Sequence, residues 1–153
     1  MPHIHEKIDF TVSVFVVYKN KVLIRKHDKY KVWLGVGGHI ELNEDPNQAA
    51  IREVKEEVGL DVVLWGEKFN LEHHSKGDDL IPPRFMNRHF INDKHEHVDM
   101  IYFATSENDL IIPEHPDDES EWLTSSELDN PRDGLSSATK LYAKTALEEV
   151  SVK

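Results

Sequence analysis

The sequence predicts an α+β domain, a mixed α/β sandwich in which helices cover a sheet of mixed strand direction. Three observations lead there: a long apolar run near the N-terminus followed by a hairpin return, a well-capped amphipathic helix in the first half, and strand-like runs that end in a second amphipathic helix. A length of 153 residues suits one domain spanning residues 1–153. Such a chain buries roughly two thirds of the surface it would expose unfolded.

Residues 10–18 place Val12, Val14, Val16 and Tyr18 in one alternating register and Phe15 and Val17 in the other, the pattern of a strand buried on both faces. Lys19 and Asn20 supply a turn, and Val22, Leu23 and Ile24 form the return strand, which ends at the polar group Arg25 to Lys29. A short strand over residues 31–34 leads into Gly35-Val36-Gly37-Gly38, read as a glycine turn that permits close backbone approach.

Asp45-Pro46-Asn47-Gln48 then combines a side-chain N-cap, proline at the first helical position and a glutamine placed to return a capping bond. The helix should run over 46–58 with a stripe of Ala50, Val54 and Val58, Ile51 beside it and Gly59 as its stop. Further strands are expected over 61–71, 85–91, 98–105 and 121–123. A helix over 136–150 would turn Leu141, Tyr142, Thr145 and Leu147 to the core, and residues 73–84, rich in Gly, Asp, Pro and Lys, read as a surface loop.

Composition narrows the functional classes. Eighteen Lys and Arg against 29 Asp and Glu leave a net charge of -11, which repels a nucleic-acid polymer but tolerates a small phosphorylated substrate screened by a bound cation. The absence of cysteine removes disulfides, thiolate metal sites and cysteine nucleophiles. Residues 1–10 lack the apolar core of a signal peptide, and no apolar run approaches the roughly 20 residues of a membrane helix. The expectation is a cytoplasmic protein that makes no membrane contact, with self-association into a homodimer left open.

The chemistry concentrates on the first helix. Glu53, Glu56 and Glu57 stand at i, i+3 and i+4, so their carboxylates project from one face within a turn. Crowding like charges raises carboxylate pKa values unless a cation compensates, and Mg2+, a hard ion that takes oxygen ligands and retains waters, suits the task. By itself, E-x-x-E-E reads more often as the solvated face of an amphipathic helix.

The surrounding spacing changes that balance. Gly38, Glu44, Arg52, Glu53, Val54, Glu56, Glu57, Gly59 and Leu60 fill every defined position of G-x5-E-x7-R-E-U-x-E-E-x-G-U, where U is a bulky aliphatic residue, and the stretch so resembles the Nudix box. The resemblance extends to the preceding strand pair, to Trp33 and to Glu121-Trp122-Leu123 followed by Glu127-Leu128, and covers about residues 10–147. Val36 departs from the proline that many members carry, which bears on loop geometry more than on chemistry.

The resemblance implies a Nudix-type α/β/α sandwich and a pyrophosphohydrolase, MutT-like, that uses Mg2+ or Mn2+ to direct water at a phosphoanhydride in a nucleoside triphosphate or a nucleoside-diphosphate-linked small molecule. On the matching positions it implies Glu53, Glu56 and Glu57 as metal ligands with the backbone of Gly37 or Gly38, Arg52 as an orienting partner of Glu44 or Glu56, and Glu44 as base or outer acid. Glu119 is a further candidate for metal or base. Two other readings follow from the same resemblance: a catalytically silent sensor of nucleotides or nucleotide sugars, and an isomerase acting on an isoprenoid diphosphate, a role commonly involving the cysteine this chain lacks.

Substrate contacts are expected from the 73–84 loop and the strand after it, with Arg84, Phe85 and His73 first and His74, Lys76, Arg88 and His89 behind them. Trp33 and Phe69 read as core packing before base stacking. His95 and His97 alternate as H-E-H, a spacing able to hold a transition metal but read first as a solvated strand face.

Overall fold

The computed structural model describes residues 6–150; residues 1–5, with His3 and His5, and residues 151–153 lie outside the described residues. The N-terminal apolar run forms β1 (Ile8–Tyr18), the centre of the sheet, with Val12, Val14, Val16, Phe15 and Val17 all at most 1% exposed. Lys19, at φ 54°, begins the turn into β2 (Lys21–Lys26), which pairs antiparallel with the end of β1. Two short strands follow, β3 (Trp33–Leu34) on β2 and β4 (Val36–His39) on the first half of β1.

The expected glycine turn is therefore largely strand. Its glycines serve close packing: a Cβ on Gly37 would sit 1.8 Å from the Val12 carbonyl oxygen, so only glycine lets β4 lie against β1. Val36, where a proline was the alternative, is fully buried and stands opposite Val14.

Helix α1 (Pro46–Val58) has the predicted bounds. Beyond it come β5 (Val62–Leu64), β6 (Phe85–Asn92), β7 (His95–Ser106), β8 (Ser120–Leu123), the single turn α2 (Ser125–Leu128) and α3 (Ser137–Glu149). Strands β1 and β7 run parallel over ten residue pairs, whereas the other pairings are antiparallel, which makes the sheet mixed. The central order is β3-β2-β1-β7-β5, with β4 on β1, β6 on β7 and β8 on β2.

Alternation on β1 and β7 divides the core in two. Val12, Val14, Val16, Tyr102 and Ala104 pack against Ala50, Val54 and Val58 of α1. From the opposite face Phe15, Val17, Ile101 and Phe103 meet Leu128 of α2 and Ala143 and Ala146 of α3. Each large apolar side chain removed from water contributes about 1.5–3 kcal/mol, so both helices are held by these faces rather than by propensity.

Four expectations need correction. The strand foreseen over 61–71 stops at Leu64, because Gly66 takes φ 137° and residues 66–72 are exposed. Phe69, expected in the core, is 53% exposed on that segment. In α3 the buried positions are Thr139, Ala143 and Ala146, while Leu141 faces solvent: small residues let the helix approach the sheet closely, and a search for large apolar side chains overlooks them. Helix α2 was not foreseen, although Thr124 and Glu127 form a capping box.

Candidate active site

The start of α1 is fixed by reciprocal capping: Gln48 N donates to Asp45 Oδ1 and Asp45 N to Gln48 Oε1, both at 2.9 Å. Gly59 ends the helix in the left-handed conformation at φ 75°. Between these stops the helix phase is set by its buried stripe, and Arg52, Glu53, Glu56 and Glu57 are carried on the side toward β4.

Arg52 organises the acids. Its Nε and Nη2 donate to Glu44 at 2.9 and 2.7 Å, Nη1 donates to Glu53 at 2.9 Å and Glu56 at 3.2 Å, and Nη2 also reaches the His39 carbonyl at 3.0 Å. Glu44 accepts in addition from Glu41 N at 2.8 Å. The Arg52 hydrogen bonds hold Glu44 below the usual carboxylate range, and Glu44 in turn raises the pKa of Arg52. Arg52 thus orients Glu44 and Glu56 together, and grips Glu53 as well.

Glu53 and Glu57 sit deeper, each side chain 12% exposed. They interact directly, and without a cation the ionisation of both at once is disfavoured. Burial raises both; Glu57 is pushed up to about 8, with Arg25 opposing the shift and the Glu53 charge reinforcing it. Arg25 Nε lies 3.0 Å from Glu57, and its Nη2 lies 3.3 Å from Asp118. Gly38 completes the arrangement, because a Cβ there would fall 2.6 Å from Glu53 Oε1.

Of these acids Glu57 borders a cavity of about 220 Å³ whose lining also includes Arg25, Gly37, Gly38 and His39. It continues past Ser13, Leu34, Gly35, His89 and Asp99, shared by both hollows, into a second of about 400 Å³ walled by Phe15, Asn87 and Tyr142. Asp99 accepts from Thr11 Oγ1 at 2.9 Å and Ser13 Oγ at 2.7 Å, and burial raises its pKa. Asn87 donates to the Tyr142 hydroxyl at 3.2 Å. One end of the depression is therefore acidic with a single arginine, and the other is aromatic with a carboxylate and a carboxamide.

Other residues singled out from the sequence are engaged elsewhere. Arg84 donates to both carboxylate oxygens of Glu149, at 2.7 and 2.9 Å, and stacks on Phe85. Phe85 packs on Tyr142 and Phe103 in the core, and His73 meets Asp79 at 3.1 Å on the exposed loop; none of the three lines the cavity. Glu119 is exposed and pairs with Lys26 at 3.4 Å, whereas its neighbour Asp118 turns inward to Arg25. Arg88 and His89 do line the cavity.

Sequence reasoning missed Arg25, Thr11, Ser13 and Asp99. The last three had a signal, since small polar and acidic residues interrupt otherwise apolar strands in matching register. His95 was read as solvated but is buried, and His97 is half-buried against His39 and His89. Burial and those neighbouring imidazoles push the His97 pKa down to about 4.

A mixed sheet between helices, with a capped carboxylate helix beside a polar and aromatic cavity, defines an α/β/α domain with an acidic site at the edge of its sheet. The sequence matches the NUDIX domain over residues 7–145, and the chain belongs to that family. A NUDIX-family hydrolase structure from Clostridium perfringens is 34% identical, covers 93% of this chain and 97% of that one, and superposes with a TM-score of 0.81. A MutT NUDIX hydrolase from Burkholderia pseudomallei, 23% identical, shares the fold with a TM-score of 0.60 over 95% of this chain and 99% of that one. Among curated relatives, dihydroneopterin triphosphate diphosphatase of Escherichia coli (strain K12) is 42% identical over 57 residues, a match spanning 34% of this chain and 38% of that protein. No helix among the described residues is long and apolar enough to cross a membrane.

Proposed function

We propose that this Nudix domain hydrolyses a phosphoanhydride bond in a small nucleotide-type substrate with the help of Mg2+ or Mn2+. The observation that carries the reading is the buried Glu53–Glu57 pair, with Glu57 on the cavity wall: burial disfavours two charged carboxylates there, and a divalent cation would let both ionise. The donor set fits a hard ion, with Glu53 and Glu57 as direct ligands, Glu56 more exposed beside them and the Gly38 backbone adjoining Glu53. Such an ion supplies charge neutralisation at the phosphates and a more acidic bound water.

The residues of the chain do the rest. Arg52 fixes Glu44, Glu53 and Glu56, so that the acids meet the substrate already oriented. Arg25 lies on the cavity wall, where its guanidinium is suited to a phosphate oxygen. Asp99 and Asn87 offer an acceptor and an amide to the edge of a heteroaromatic ring, and Tyr142 offers its flanking surface. That combination, together with the diphosphatase relative, favours a base-bearing or pterin-like triphosphate over a simple sugar phosphate.

Release of phosphate and pyrophosphate from a panel of nucleoside triphosphates, a pterin triphosphate, dinucleoside polyphosphates, ADP-ribose and nucleotide sugars tests the reading. Glu57→Gln should lower turnover at least about 100-fold while the protein stays folded. A folded Glu57→Gln protein with near-normal turnover would sink the assignment. Silence of the wild type across the panel, with nucleotide binding retained, would instead favour a sensor.

A further inference from the structure

Away from the carboxylate helix, neighbouring strands deliver a second set of metal-ligating side chains to one face of the sheet. Asp9 of β1 stands opposite His97 of β7, and His97 stands opposite His89 of β6. His95, two residues earlier on β7, shares the face of His97, and His39 at the end of β4 enters from the other side of β1. The innermost members are closed to solvent: the Asp9 side chain is 3% exposed and that of His95 8%.

The contacts are those of ligands around a common centre. His95 Nε2 lies 3.1 Å from Asp9 Oδ2, and His39 Nε2 lies 3.4 Å from the same oxygen. One donor atom from each of Asp9, His95 and His97 falls within 4.8 Å of the others. A tetrahedral ion with nitrogen and oxygen ligands at about 2.0–2.1 Å holds those ligand atoms about 3.3 Å apart, close to the Asp9–His95 separation, and His97 lies within reach of the same centre.

Hydrogen bonding adds a second argument. His95 Nδ1 lies 3.3 Å from the Glu6 carbonyl oxygen, which can only accept, a contact satisfied by the tautomer with its hydrogen on Nδ1. In a neutral ring Nε2 then presents its lone pair to the Asp9 carboxylate, another acceptor. Either a second proton or a metal cation must lie between them. A backbone carbonyl that fixes the distal nitrogen of a ligating histidine is a common outer-shell arrangement at metal sites.

We propose that Asp9, His95 and His97 bind a first-row transition-metal cation of the Zn2+ type, at a site separate from the carboxylate helix, with His39 beside the remaining coordination position. Two imidazoles and a carboxylate select Zn2+, Co2+ or Fe2+ over Mg2+, so the two sites divide the metals by donor softness. His89 stands apart from the set because its Nδ1 is engaged by Asn87 Oδ1 at 2.8 Å. The site ties the beginnings of β1 and β7 together, and His39 and His97 place it on the wall of the cavity.

Titration of the metal-stripped full chain with Co2+, in a Glu57→Gln background that disables the carboxylate site, tests this directly. The expected result is one Co2+ per chain with the strong visible bands of a low-symmetry nitrogen and oxygen site, displaced by Zn2+ and unaffected by excess Mg2+. Asp9 and His95 also support the fold, so the half-buried His97 carries the mutational test: His97→Ala, verified as folded by circular dichroism, should weaken Co2+ binding at least about 100-fold. Absence of such a spectrum in the folded parent, or a spectrum that His97→Ala leaves intact, would overturn the proposal in favour of a protonated His95–Asp9 ion pair. Because the readout is spectroscopic, its failure is distinguishable from failure of the hydrolase reading.

Discussion

Raising the pH of the metal-free protein should destabilise it across a range where most proteins change little. Burial moves Glu57 from an ordinary value of 4.5 to about 8. Between those values the folded protein holds a proton that the unfolded chain has released, so stability present at low pH is lost as pH rises through the folded pKa. Glu53 and Asp99, also raised by burial, have the same sign. Glu44 and Asp118 are shifted down, so their contributions are lost only as pH falls through the acidic range. His97 and His27 are shifted down from 6.5, which makes stability rise with pH up to about that value. The clean window is therefore pH 6.5 to 8.

One proton bound differentially corresponds to about 1.4 kcal/mol per pH unit, so the loss across that window is about 2 kcal/mol. For a chain of this length it lowers the unfolding temperature by about 4–8 °C. Urea or thermal unfolding in EDTA at pH 6.5, 7, 7.5 and 8 measures the slope, and saturating Mg2+ should abolish it by favouring the ionised pair. Glu57→Gln should have a shallower slope than wild type across the window and, without metal, be more stable than wild type at pH 8. A wild-type protein that holds or gains stability from pH 6.5 to 8 in EDTA, or a Glu57→Gln protein with the parental slope, would refute the reasoning.

Three further substitutions probe other parts of the site. Arg52→Lys replaces a fork that reaches Glu44, Glu53 and the His39 carbonyl with a single ammonium, and should cost about 2–3 kcal/mol in urea unfolding; a loss below about 0.5 kcal/mol would deny Arg52 its organising role. Gly37→Ala puts a methyl 1.8 Å from the Val12 carbonyl oxygen and should cost more than about 3 kcal/mol, whereas Gly77→Ala, whose nearest neighbour would be 3.7 Å away, should be close to neutral. Asp99→Asn keeps the shape of a group bonded to Thr11 and Ser13 but loses its charge; if it reads the base, KM should rise at least about 10-fold with kcat changed little, and an effect confined to kcat would assign it to the chemistry.

What was legible in the sequence was local or spaced by a fixed period. The bounds of α1 follow from Asp45, Pro46, Gln48 and Gly59, each of which acts within a turn of itself. The burial of β1 on both faces follows from two apolar registers in one strand. Arg25, by contrast, looks like the polar end of a hairpin, and only the packing of α1 against the sheet brings Glu57 to within 3.0 Å of it. Arg84 and Phe85 have the composition of substrate contacts, yet Glu149 and Tyr142 on α3, far along the chain, claim them first. The histidine cluster was divided in the same way: Asp9, His39, His89 and His97 come from four strands, and no window of sequence contains them together.

The glycines explain how a helix packed on one face of the sheet can serve a cavity lined from the other. Helix α1 buries its stripe against Val12, Val14 and Val16, while the cavity is lined by Thr11, Ser13 and Asp99 from the opposite register. Carboxylates on α1 should not reach across a continuous sheet. But β1 pairs with β4 over Thr11 to Val14 and with β2 only at Val17 and Tyr18, so the neighbouring strands on that side part from each other along its length. At the parting stand Gly35, Gly37 and Gly38, all lining the cavity together with Glu57 and Arg25. A side chain at Gly38 would collide with Glu53, and one at Gly37 would break the β4 pairing. On the proposed function, Gly35, Gly37 and Gly38 would keep open the passage through which the acids of α1 meet a ligand held on the far face. If so, Gly38→Ala should displace Glu53 and lower Mg2+ affinity at least about 10-fold while stability changes far less than with Gly37→Ala. Equal Mg2+ affinity in the two folded proteins would show that the passage is not what gives Glu53 access to the ion.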